Sequence, residues 1–264
     1  MIGIAAGKEL IGALVAREMK SRYKGSSLGL LWSLLTPLFM AAIYSFFFRL
    51  ISGRAANTES ILVGVFAWHF TVNSVQQGLV CISGNGNIVK KVAFPRVILP
   101  VAVTAGAAID YLISLAIQFC LVGFLLWRQG VFFGAHILLL PVVLVVHAWL
   151  NLGLAMLLGA LNVYFRDTQH LVGVGLSALF FMSPAMYDLG FVEKMAGGMH
   201  PWIMDAYLLN PLAGILTAYR RAFLPGSIWP ESPFVWAGLM IGILLTPLAW
   251  LLFRRLQSNF ADYV

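Results

Sequence analysis

Charge is what this sequence has least of. Of its 264 residues, 10% are Asp, Glu, Lys or Arg, while 61% are hydrophobic. A water-soluble domain needs more charge than that on its surface, so the bilayer is the solvent for most of this one. The length suits one integral membrane unit and leaves no room for a second, soluble domain. Cysteine is scarce too. Cys81 and Cys120 both fall in apolar stretches, the pattern of small core residues and not of a disulfide or a metal pair. The histidines (His69, His136, His147, His170 and His200) show no His-Glu-x-x-His and no Cys/His ligand spacing, so no metal site is expected. The chain has no Gly-x4-Gly-Lys-Ser/Thr; residues 84–91 come nearest and lack the spacing, which excludes ATP hydrolysis by the usual phosphate loop. His147 and Asn151 have the spacing of an intramembrane serine protease, but the Gly-x-Ser-Gly nucleophile is missing, so the pair is expected to pack. No internal repeat, low-complexity tract or free linker interrupts the chain. No cleavable signal is apparent, because the N-terminus stays amphipathic and charged well past residue 20.

What is present is a series of apolar runs. A window of about 20 apolar residues predicts six spans. They cover residues 28–50, 61–82, 101–127, 135–161, 171–189 and 235–253. Pro37, Pro141, Pro184 and Pro247 lie within them and are expected to kink them. Residues 8–24 do not span. Ile11, Leu14, Val15 and Met19 share one helical stripe, while Lys8, Arg17, Lys20, Arg22 and Lys24 spread over the polar side. That is a helix lying in the interface, ended by Gly25, Ser26 and Ser27. The net charge of +7 therefore speaks for helix orientation and anionic lipid, not nucleic acid. Placing both termini on the cytoplasmic side puts most Lys and Arg inside, as the positive-inside rule asks. The long outer connection, residues 190–233, carries a short amphipathic or re-entrant helix over 208–223.

Several polar features stand out against that background. His69, Asn73, Gln76 and Gln77 fall on one face of the second span. Polar groups facing lipid are costly, so this face is either a wall of a hydrated pathway or a helix interface sealed by hydrogen bonds. Asp110 is an intramembrane carboxylate without a nearby His or second acid, which suits a structural anchor better than a proton relay. The first cytoplasmic loop runs from Asn85 to Arg96, with Lys90 and Lys91 followed by Phe94-Pro95-Arg96. It is either a docking segment with an aromatic anchor and a guanidinium, or an ordinary positive-inside loop. The second, Asn162 to Asp167, sets Arg166 and Asp167 beside Tyr164 and Phe165: a docking knob or an interfacial aromatic belt. Among the aromatics of the spans, Tyr44, Phe47, Phe180 and Tyr187 are candidates for a surface on which sugar rings stack, alongside His69, Asn73 and Gln76; lipid-facing and core roles compete.

Taken together, these stretches resemble the permease subunit of ABC type-2 exporters of polysaccharides and polyol phosphates: the O-antigen, capsule and teichoic acid exporters. The stretches that carry it are residues 17–32, the Lys90 to Pro100 segment with Phe94-Pro95-Arg96, Asn162 to Asp167, Ser183-Pro184-Ala185-Met186-Tyr187, Asn210-Pro211 and Phe260-Ala261-Asp262-Tyr263. They run from end to end. The resemblance implies an all-α integral membrane protein with the ABC type-2 permease fold: six transmembrane helices, an N-terminal interface helix and outer re-entrant helices. It implies one domain over residues 1–264, with the interface helix at 8–24, the spans at 28–253 and a cytoplasmic tail at 254–264. It implies a homodimer in the bacterial cytoplasmic membrane, with two copies of a separate ATPase that hold the ATP and Mg; this chain carries no cofactor and no catalytic residue. ATPase coupling maps onto Lys90, Lys91, Phe94, Pro95, Arg96, Tyr164, Arg166 and Asp167. The cargo implied is an undecaprenyl-diphosphate-linked glycan, drawn by the interface helix through Arg17, Lys20, Arg22, Tyr23 and Lys24, or else those residues meet ordinary lipid. A small-molecule or drug permease of the same superfamily and an ion-coupled carrier are the alternatives.

Overall fold

The longest apolar runs become the longest helices. The computed structural model describes residues 4–52, 57–91, 94–196 and 200–264, with no strand among them. Helix α1 (Ile4–Tyr23) ends where Gly25 takes a positive φ of 79°, open to glycine at no steric cost. After a single 3-10 turn, α2 (Trp32–Ser52) begins, and α3 (Thr58–Val80) follows. The short α4 (Gly86–Lys91) leads to α5 (Ile98–Arg128), then α6 (Leu140–Tyr164) and α7 (Thr168–Phe181). Three short helices, α8 (Leu189–Ala196), α9 (Pro201–Leu208) and α10 (Pro211–Phe223), precede α11 (Phe234–Leu256) and α12 (Phe260–Tyr263).

Among the described residues, four segments are long and apolar enough to cross a membrane: residues 32–50, 98–128, 135–164 and 234–263. Their outward faces are apolar, with Phe46, Phe124, Val142, Val145 and Leu248 all more than half exposed, as suits a hydrocarbon solvent. The other two expected spans differ in kind. Helix α3 has the length but falls short in apolarity. The reason is its position: residues 60–68 are buried on every side, and α2, α5, α6 and α10 enclose the helix. Helix α7 has 14 residues, about 21 Å at 1.5 Å per residue, and turns occupy residues 182–187 where the expected span continued.

Prolines account for part of the difference. Pro37 and Pro247 lie inside α2 and α11 as expected. Pro141 instead sits in the first turn of α6, where a missing N–H costs nothing, and Pro184 lies beyond the end of α7. Neither kinks a span. The expected helix over 208–223 is also divided. Asn210 takes extended backbone and its side-chain oxygen accepts from the Leu212 N–H at 3.0 Å, so α10 starts afresh at Pro211.

Small residues set the closest crossings. A Cβ on Gly78 would fall 2.5 Å from that of Ala155, and one on Gly159 would fall 2.6 Å from the Gly78 carbonyl oxygen, so α3 and α6 meet backbone to backbone. Among the described residues a small cluster of Leu189, Leu208 and Val235 joins α8, α9 and α11, and two larger ones hold the bundle. One gathers α2, α3, α5, α6, α7 and α10 around Phe66, Phe70, Tyr111 and Tyr219. The other, at the opposite end, joins α1, α4, α5, α6, α11 and α12 around Leu14, Val89, Val163, Phe253 and Phe260.

Helix α10 is buried almost throughout. It drives Arg220 into the core, 2% exposed, where Nε donates to Ser60 Oγ at 2.8 Å. Its two terminal nitrogens donate to the carbonyls of Pro184 (2.5 Å) and Ala185 (3.1 Å). A Cβ on Gly64 would strike this guanidinium and the Ala185 carbonyl. One side chain thus ties α3, α10 and the turn after α7. Arg220→Met strands three buried acceptors at about 1–3 kcal/mol each, so the thermal midpoint of the detergent-solubilised protein should fall by several degrees. Arg220→Lys should not restore it, since an ammonium lacks the planar fork. An unchanged midpoint would contradict the anchor.

Candidate transport cleft and coupling surface

The polar face of α3 splits by function. His69 and Gln76 open onto a cleft of about 400 Å³ between α2, α3 and α7. Tyr44, Trp68, Ser177 and Phe180 line the same cleft. Phe180 is its centre: Tyr44 lies tilted against it at 5.2 Å and Trp68 meets it edge-on at 5.6 Å between ring centroids. Phe181 meets it edge-on at 5.3 Å. The wall is therefore mixed aromatic and polar, the surface that can stack on a sugar ring while its hydroxyls find partners.

Asn73 and Gln77 face elsewhere. Asn73 borders a cavity of about 10 Å³, room for about one water, beside Asp110 and Ser114. Gln77 accepts from Arg22 Nη2, and Arg22 Nη1 pairs with Asp110. Arg22 therefore points into the bundle and ties α1 to α3 and α5. Asp110 is 2% exposed and pairs with that guanidinium, so it anchors α1 to α5. Its expected isolation from histidine does not hold, since His69 borders the same small cavity.

Of the remaining cleft candidates, Phe47 lies on the outer side of α2, 54% exposed and edge-on to Phe46. Tyr187 stands in the turn after α7. Its hydroxyl donates to the Phe181 carbonyl at 2.5 Å and receives from Tyr207 at 3.4 Å, so it fixes the end of the cleft wall without lining it. Burial and that contact push the Tyr207 phenol up. His147 and Asn151, the protease-like pair, are fully buried; His147 Nε2 shares a hydrogen bond of 2.7 Å with Thr71, so the pair packs. No His, Cys, Asp and Glu cluster fit for a metal occurs among the described residues.

The basic side of α1 is divided as well. Lys20 and Lys24 are exposed. Arg17, also exposed, donates to the Asn85 side chain ahead of α4. The side chain of Tyr23 lies outside the described part of the structure. The apolar stripe of α1 does not face lipid alone: Leu14 is buried, and Leu10, Ile11 and Val15 pack on the second cluster.

The two loops at that end separate into outward and inward residues. Lys90, Lys91, Pro95, Arg166 and Asp167 are exposed. Phe94 is half-buried in the second cluster. Arg96, expected to offer its guanidinium to a partner, instead donates to the backbone carbonyls of Gln257 and Ser258. Tyr164 also turns inward, donating to the Leu256 carbonyl at 2.9 Å and packing on Tyr263 at 4.8 Å. The outward aromatic of the second loop is Phe165, 67% exposed. Asn162 anchors this loop to the end of α3, donating to the Leu79 carbonyl at 2.8 Å and to Ser83 Oγ at 3.3 Å.

Residues 9–224 match the family described as the ABC-2 type transporter. The chain belongs to that family. It is 29% identical to the O-antigen export system permease protein RfbA of Myxococcus xanthus, over 97% of this chain and 95% of the relative. It is 27% identical to the protein of that name from Klebsiella pneumoniae, over 96% and 94%. It is 24% identical to the polysialic acid transport protein KpsM of Escherichia coli, over 86% and 85%. The chain is thus a multi-pass ABC transporter permease, and its family implies a partner ATP-binding subunit.

Two functional side chains escape the sequence pattern. Phe165 differs from its neighbour Tyr164 in direction, which spacing does not encode. Arg220 reads as a topogenic charge, although its place among Leu216, Tyr219 and Phe223 on an apolar helix was a usable signal. The Arg22–Asp110 pair generates a further test. Asp110→Leu leaves Arg22 against the protein without its counter-charge and should cost roughly 3 kcal/mol. Arg22→Met combined with Asp110→Leu should recover much of that loss in a thermal melt. Equal stability of single and double variants would mean the two are not coupled.

Proposed function

We propose that this chain is the membrane-embedded subunit of an ATP-driven exporter that moves a lipid-linked polysaccharide of the O-antigen, capsule or teichoic acid type across the bacterial cytoplasmic membrane. The observation that carries the cargo class is the aromatic and polar cleft between α2, α3 and α7. The names of the relatives supply the polymer. A cleft of about 400 Å³ accommodates a few sugar rings and not a chain. On α7 its lining residues Gly173, Ser177 and Phe181 are themselves exposed. A second copy of this chain, facing the first across α2 and α7, would extend it into a pathway.

In this reading the whole chain is one transmembrane domain. Helix α3, screened by its neighbours, and α7 with the turn after it complete six spans, and α8 to α10 form the outer re-entrant cap. Both termini are cytoplasmic. The cytoplasmic end then presents Lys90, Lys91, Pro95, Phe165, Arg166 and Asp167 to two copies of an ATPase that bind ATP and Mg. Nucleotide closure of those subunits shifts the helices between two packed states. Lys20, exposed on α1, and Lys24, exposed just past its end, attract the diphosphate of the lipid carrier, with charge-assisted hydrogen bonds as the chemistry. Tyr44, Trp68 and Phe180 let sugars slide, because stacking is broad in angle and weak in direction.

Two experiments bear on this. Both use a strain of the native host lacking its own copy, with surface glycan on intact cells labelled after periodate oxidation. Phe180→Ala removes the ring shared by Tyr44 and Trp68; two aromatic contacts of about 1 kcal/mol each predict a fall in export of tenfold or more, with the ATPase still copurifying. Wild-type export would remove the cleft from the pathway. Arg166→Glu should abolish permease-dependent stimulation of the ATPase while membrane insertion is unchanged; full stimulation would exclude the second loop from docking.

A further inference from the structure

The tail after α11 touches both loops of the coupling end. Phe260 has no exposed surface; its ring meets Phe253 edge-on at 5.3 Å and Tyr164 at 6.1 Å. Tyr263 packs on Tyr164 from the other side at 4.8 Å. Arg96 binds the carbonyls of Gln257 and Ser258, which secures the Phe94-Pro95-Arg96 turn to the same segment. Val264 closes the set. A Cβ on Gly86, the first residue of α4, would lie 3.7 Å from the Cβ of Val264.

Helix α4 needs such support. It has six residues and buries one, Val89. A helix that short has no stability of its own, since about 12 residues are needed even in favourable sequences. Its position is set by what packs against it, and α12 is among its neighbours. The outward residues of both loops stay exposed, while Arg96 and Tyr164 are taken up by the tail and Phe94 packs on the second cluster.

We infer that residues 257–264 are a frame that holds α4, the Phe94-Pro95-Arg96 turn and the Asn162–Asp167 turn in one fixed arrangement, with Phe260 and Arg96 as its positioning residues. The inference rests on the reading that these loops dock an ATPase. The frame stands behind the docking surface and touches no ATPase itself. Force applied at either loop then reaches α3, α5, α6 and α11 as one displacement, because elements locked together cannot yield separately.

Phe260→Ala, coexpressed with the partner ATPase, tests the frame. Surface glycan should fall at least about tenfold, within the range that a coupling residue far from both sites commands. The ATPase should copurify at the wild-type ratio and hydrolyse ATP within about twofold of the wild-type rate. Wild-type surface glycan would overturn the inference. So would loss of the ATPase from the complex, since the tail would then belong to the docking contact. If the wild-type chain itself retains no ATPase, the proposed function fails and not the frame alone.

Gly86→Cys with Val264→Cys, in a Cys120→Ser background, gives a second reading that does not depend on a truncated core side chain. The Cβ spacing matches the mean of about 3.8 Å in disulfides. A frame that moves with α4 tolerates the bond, so once an added membrane-permeant oxidant has formed it, as a mobility shift on a non-reducing gel shows, oxidised and reduced cells should export equally. Export lost on oxidation and recovered by reductant, with Val264→Cys and Gly86→Cys/Val264→Ala unaffected, would show that tail and α4 must part, and would overturn the inference.

Discussion

Hydrocarbon offers no hydrogen bond, and this constraint organises the molecule. Every polar side chain at membrane depth has to meet protein or open to water. Helix α3 carries more of them than any apolar span tolerates, so it is sheathed by α2, α5, α6 and α10. Where the sheath is complete, Thr71 finds His147 and Ser60 finds Arg220. Where it is open, between α2 and α7, His69 and Gln76 face the cleft. The candidate pathway is thus a gap in the sheath lined by polar and aromatic groups together.

The same constraint explains the buried charges. Asp110 at 2% exposure persists because Arg22 reaches it from α1, and Gln77 takes a second nitrogen of the same guanidinium. Arg220 is held by hydrogen bonds to neutral groups: one hydroxyl and two carbonyls released by the turn at Pro184 and Ala185 accept from it. Breaking α7 at Phe181 frees those carbonyls, and the arginine needs them. The shortened helix and the buried guanidinium are one structural solution. It ties α10 to α3, as Arg22 ties α1 to the same helix from the other end.

Legibility varied with the range of the forces involved. The end of α1 at Gly25 and the extents of α5 and α11 are local consequences of conformational freedom and apolar run length, and they were legible. The anchoring role of Asp110 was expected, although its isolation from histidine does not hold and its partner in α1 was not legible. Tyr44 and Phe180 were placed in the cleft on residue type, and His69 and Gln76 on a shared helical face; Phe47 and Tyr187, of the same types, and Asn73, of the same face, lie outside it. Nothing in the spacing separates them, because helix rotation about its axis depends on neighbours. Arg96 and Tyr164 were expected to face a partner and instead face the chain's own tail, a contact across more than 90 positions.

The sequence by itself determined that the chain lives in a bilayer and where its longest apolar helices fall, because transfer free energy and backbone propensity act residue by residue; its likeness to ABC permeases was carried by motifs spread along the chain. Tertiary structure alone decided which polar groups are sealed and which line a cleft, and which loop residues turn out toward solvent. Those outcomes depend on side-chain direction and on contacts between distant segments, and neither is written in any local pattern.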